Sequence, residues 1–92
     1  MNSDGVIDNA AQRRFELPVE GRTAFAAYEI DGDVITFTHT VVPRELEGRG
    51  IASRLIGHAL GEAKARGLKV VPQCPFVAAY IQKHPEWQAV LA

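Results

Sequence analysis

The chain lacks most of what marks an exported, metal-bound or nucleic-acid-binding protein. Its one cysteine in 92 residues, Cys74, has no partner for an intrachain disulfide, and no Cys/His spacing matches a zinc site, so no metal is expected. No run approaches the ~20 apolar residues that span a bilayer, and the opening MNSDGVIDNAAQRR contains no apolar segment of the signal-peptide kind. These absences lead to the expectation of a soluble, cytoplasmic chain with no membrane partner. An excess of one charge is missing too: ten Lys+Arg stand against eleven Asp+Glu, which leaves no basic field to gather DNA or RNA. There is no internal repeat, low-complexity tract or linker between patterned regions.

What is present is enough for one core. At 47% hydrophobic residues, 92 residues fit one domain, and a second is not expected. Residues 1–12 are polar and without period, with a Ser3-Asp4-Gly5 loop signal, and read as a flexible lead-in to a single domain over 13–92. Three strands are predicted, at about Arg14–Leu17, Thr23–Ile30 and Val34–Val42. Glu20-Gly21 separates the first two and Asp31-Gly32 the next two, the latter suited to a type I′ hairpin. Strict alternation on the third strand puts Ile35, Phe37, His39 and Val41 on one face, with Thr36, Thr38 and Thr40 on the other.

After Pro43 the period changes to 3.6. Ile51, Leu55, Ile56, Ala59, Leu60 and Ala63 fall on one side of a helix, opposite Arg54, His58, Glu62 and Arg66, with Gly67 as its C′ residue. LKVV then reads as a strand reached by a helical crossover, hence parallel and right-handed. A second helix is expected from near Pro75 to just before Pro85. The fold class is therefore α+β: a mostly antiparallel sheet holding one strand-helix-strand parallel crossover, plus a C-terminal helix.

The join between third strand and first helix, Gly48-Arg49-Gly50, carries the chemistry. Glycines admit backbone close to a ligand, and the free amides of a first helical turn point at an anion, with Arg49 and Arg54 near enough to add charge. The same glycines would equally serve a tight connection. The stretch is neither a Gly-x-x-x-x-Gly-Lys-Ser/Thr loop nor a three-glycine dinucleotide fingerprint, so neither an NTPase nor a dehydrogenase reading is supported.

In context, EGRGIASRL after a strand ending in THTVVP resembles the acetyl-CoA-binding signature of the GNAT superfamily of N-acetyltransferases, Gln/Arg-x-x-Gly-x-Gly/Ala, with Gly50 and Ala52 in its last two places. The order His39-Thr40-Val41-Val42-Pro43, Gly48-Arg49-Gly50-Ile51-Ala52, Pro72-Gln73-Cys74 and His84-Pro85 is similar to that of the very short YjdJ-type acetyltransferase-like proteins, over about Phe15 to Leu91. There are departures. Glu47 stands in the Gln/Arg place, and of a late Tyr-x-x-x-Gly-Phe motif only Tyr80 is kept, His84 and Pro85 replacing the last two residues. The N-terminal helices that cover the acyl acceptor in longer relatives are absent.

The resemblance implies a minimal GNAT fold and acetyl transfer from acetyl-CoA to an amine, small molecule or protein, at an open acceptor site. It places the pyrophosphate on the amides of Gly48, Arg49, Gly50, Ile51, Ala52 and Ser53, with Arg49 or Arg54 supplying charge and the pantetheine arm beside Val41 and Val42. A monomer or weak dimer is expected, and a non-catalytic CoA- or acyl-CoA-binding or regulatory module is the alternative.

Three residues are candidates for chemistry. His39 is a candidate general base or oxyanion donor, since an imidazole can take or give a proton; it is equally a hydrogen-bonded sheet histidine. Cys74 precedes a helix N-terminus, where a thiolate is favoured; it is a candidate acetyl carrier or a buried, inert thiol. Tyr80 is a candidate proton donor to the leaving thiolate, or one contact in the apolar stripe Val77, Tyr80, Ile81 and His84.

Overall fold

The computed structural model describes residues 5–92; residues 1–4 of the expected lead-in lie outside the described residues. Within that same lead-in the structure has a strand, β1 (Ile7–Asn9), so order begins before Arg13. β1 pairs antiparallel with β2 (Arg14–Val19), which pairs with β3 (Arg22–Asp31), which pairs with β4 (Val34–Val41). The chain then crosses over through α1 (Ile51–Ala65) to β5 (Lys69–Pro72), parallel to β4, and continues into α2 (Pro75–Lys83) and a 3-10 segment, Pro85–Val90. Strand order in the sheet is β1-β2-β3-β4-β5.

Local chemistry accounts for most of these boundaries. At Glu20-Gly21 both residues have positive φ, 53° and 80°, the signature of a type I′ turn between the paired residues Val19 and Arg22. The second hairpin differs from expectation. Asp31 pairs with Val34, so its central residues are Gly32-Asp33, and only Gly32 has positive φ. That is the II′ pattern, with glycine at the first central position, and the I′ hairpin lies one turn earlier in the chain. α1 ends as predicted: the Leu68 amide donates to the Ala63 carbonyl and the Gly67 amide to that of Lys64, a Schellman closure with Gly67 left-handed.

The core lies between one face of the sheet and α1, which buries Ile51, Leu55, Ile56, Ala59, Leu60 and Ala63, the stripe that the period marks out. Phe15, Tyr28 and Phe37 meet them from the sheet, and Val77 and Ile81 from α2. His58, expected to be solvated, is half-buried, its ring 6.1 Å from that of Phe15.

β1 is held by contacts across long sequence separations. The Tyr28 hydroxyl donates to Asp8 at 2.6 Å, and Arg66, at the C-terminal end of α1, donates to the other Asp8 oxygen at 2.7 Å. Burial, reinforced by the Asp8 hydrogen bond and charge and partly opposed by Arg66, pushes the Tyr28 hydroxyl up to about 12. Its ordinary value is about 10. The folded protein thus keeps a proton that the unfolded chain releases. This stabilisation is complete below about pH 10 and lost as pH rises towards 12. Urea midpoints taken from pH 8 to 12 are expected to fall across that window, and to fall less for Tyr28→Phe.

The alternation expected on β4 breaks after Phe37. Tyr28 pairs with Phe37 but Ala27 with His39, leaving Thr38 as an extra residue with nothing opposite it. Beyond the bulge the faces exchange. Thr40 lies opposite the fully buried Ala26 and turns inward, while His39 and Val41 lie opposite Ala27 and Phe25 on the other face.

Candidate functional site

β4 and β5 are paired only as far as Phe37 and Pro72. The Cys74 amide then donates to the Phe37 carbonyl at 2.9 Å, and the two chains part. One runs on along Thr38–Val41 with its β5-facing edge unpaired; the other turns into α2 at Cys74, with Pro75 in the first helical turn. Two adjoining hollows open in the gap. One, of about 490 Å³, is lined by Thr40, Val41, Val42, Glu47, Ala52 and Phe76. The other, of about 230 Å³, shares Val42, Glu47, Ala52 and Phe76 and reaches Gly48, Gly50, Ile51 and Ser53.

The floor of the smaller hollow is the start of α1. Gly50 is its N-cap, left-handed at φ 71°, and no side chain caps the helix. The first helical hydrogen bond runs from the Arg54 amide to the Gly50 carbonyl, so the amides of Ile51, Ala52 and Ser53 have no helical partner and are open to an anion. Gly48 is also left-handed, at φ 82°. A Cβ at either glycine would meet nothing within 4 Å, so conformation rather than crowding requires glycine at both.

The charged residues of the turn are placed differently from expectation. Arg49 lines neither hollow; its guanidinium is 2.7 Å from Glu20 in the β2–β3 turn. Arg54 is exposed and outside both walls, whereas Glu47 is in both.

None of the three chemical candidates is hydrogen-bonded to or stacked on another. Cys74 is 3% exposed, with Sγ 3.3 Å from the Thr40 hydroxyl. His39 is on the opposite face, exposed, with Nδ1 3.2 Å from the Thr38 hydroxyl and its ring edge-on to Phe25 at 5.9 Å. Tyr80 is half-buried on α2 and stacks on His84 at 4.1 Å; its hydroxyl reaches over Gly57 of α1, where a Cβ would come within 2.9 Å of it. His84 caps α2, so it ends the helix as expected. Thr40 and Phe76 were not among the sequence candidates. Strict alternation sends Thr40 to the outer face, and Phe76 falls outside the apolar stripe of α2; its 38% exposure beside a hollow is its one distinguishing feature. Among the described residues no cluster of His, Cys, Asp or Glu is arranged to hold a metal, and no helix is long and apolar enough to cross a membrane.

A five-stranded mixed sheet whose one parallel pair splays towards an uncapped helix start defines a small α+β domain with a cleft at the parting of two strands. Residues 14–90 match the model of the GCN5-related N-acetyltransferase family, and the chain belongs to that family. Its fold is similar to that of a GCN5-like protein from Staphylococcus aureus solved in solution by NMR, with a TM-score of 0.75 at 24% identity, covering 100% of this chain and 91% of the other.

Proposed function

We propose that the protein is a small acetyl-CoA-dependent N-acetyltransferase of the YjdJ type, with its amine acceptor site open to solvent. The observation that carries this reading is the gap after Phe37 and Pro72. It offers an unpaired strand edge leading directly to the open amides of Ile51, Ala52 and Ser53. An extended pantetheine arm suits the edge at Val41 and Val42, and a pyrophosphate suits the amides. Family membership supplies the reaction class.

In direct transfer the acceptor nitrogen attacks the thioester carbonyl, the C–N bond forms and the C–S bond breaks, the amine gives up a proton and the departing thiolate gains one. His39, exposed on the outer face, is suited to take the amine's proton, and Tyr80 to return one to sulfur. In the two-step form, Cys74 Sγ attacks first and carries the acetyl group to the amine.

A second reading, a CoA- or acyl-CoA-binding module without turnover, draws support from one feature: His39 and Cys74 lie on opposite faces and Cys74 is nearly closed to solvent. Calorimetric titration with acetyl-CoA and CoA, with ATP for comparison, tests the site common to both readings. Saturable binding of the two CoA forms and not of ATP is expected. Gly50→Val, which forces a β-branched residue to φ 71°, is expected to weaken binding at least about tenfold while the far-ultraviolet spectrum stays native. Unchanged affinity in that variant would refute the phosphate turn. Turnover with any amine then decides between enzyme and binder.

A further inference from the structure

The walls of the two hollows contain one charged side chain, and it is an acid. Glu47 lines both, and among the described residues its carboxylate has no hydrogen bond or ion pair. The cation best placed to offset it, Arg49, is drawn away to Glu20, 29 residues distant in sequence. Glu20 sits at φ 53° in a tight I′ turn, where its carboxylate meets the Arg49 guanidinium at 2.7 Å. A site whose amides invite an anion is thus edged by an unpaired carboxylate, with its arginine engaged elsewhere.

We propose that Glu47 is a specificity-determining residue that weakens the hold on the donor's phosphates, so that selectivity rests on the acyl-pantetheine arm, and that the Glu20–Arg49 pair regulates how much of that loss is recovered. The inference rests on reading the hollows as the acetyl-CoA site. Like charges a few ångströms apart at a wet surface repel measurably, and salt damps the effect. An exposed ion pair such as Glu20–Arg49 is weak, so Arg49 is free to swing towards a bound pyrophosphate at little cost. The donor class is therefore a CoA thioester held mainly by its acyl-pantetheine arm, with the phosphates contributing less than the open amides alone would give.

The test compares acetyl-CoA with S-acetylpantetheine, which lacks the pyrophosphate, on the full chain and two variants at low and high salt. Glu47→Gln is expected to bind acetyl-CoA about five- to tenfold more tightly at low salt, with the gain shrinking at high salt, and to bind S-acetylpantetheine as the parent does. Glu20→Gln, which frees Arg49, is expected to give a smaller gain of about threefold, again for acetyl-CoA alone. Equal affinity of parent and Glu47→Gln for acetyl-CoA, or an equal gain for both ligands, overturns the inference and leaves the acetyltransferase reading standing. If the parent and both variants bind neither ligand, the functional reading fails and takes the inference with it.

Discussion

Phe37→Ala is expected to lower the free energy of unfolding by about 3–5 kcal/mol, a large part of what a domain this size possesses. Phe37 is 0% exposed, with ring centroids 6.3 and 6.4 Å from those of Phe15 and Tyr28. Truncation removes one of the three rings of this aromatic cluster. The site should suffer as well, because Phe37 is the last β4 residue paired with β5 and its carbonyl holds the Cys74 amide. Urea denaturation followed by circular dichroism measures the loss. A cost below about 1 kcal/mol would mean that the packing around Phe37 is looser than described.

If transfer runs by the two-step route, Cys74→Ala is expected to reduce acetyl transfer at least about 100-fold while leaving acetyl-CoA affinity within about twofold. The thiol stands where the strands part, 3.3 Å from the Thr40 hydroxyl. In the proposed two-step route its sulfur forms the new thioester, CoA departs with a proton, and the amine then takes the acetyl group from sulfur. Initial rates against a panel of polyamines, amino sugars and peptides, with intact mass after exposure to acetyl-CoA alone, make the measurement. An acetyl-mass increment on the parent and none on Cys74→Ala supports the route. Full turnover by the variant removes it and leaves direct transfer, with His39 the next residue to replace.

Much of the fold could be read from local pattern, and the exceptions have a common cause. The six buried residues of α1 and its Gly67 closure follow from side chains three or four positions apart, which a linear reading sees. The break after Phe37 follows from how β3 and β4 register against each other, and nothing in VITFTHTV signals that Thr38 will have no opposite residue. β1 was missed because Ile7-Asp8-Asn9 has no strand pattern; Tyr28 and Arg66, 20 and 58 residues away, hold it in place. In the site, the glycine turn could be read because tolerance of positive φ is a property of glycine itself. Arg49 could not, since its engagement depends on a glutamate in a different hairpin.

The extra residue at Thr38 also turns one strand into a partition between two design problems. Phe25, His39 and Val41 form a patch on the outer side, while Thr40 and the thiol it touches belong to the inner side. A library that randomises the outer patch can therefore vary the face that carries His39 without repacking the residues that keep the chain folded. Selection on the inner side would explore donor chemistry separately.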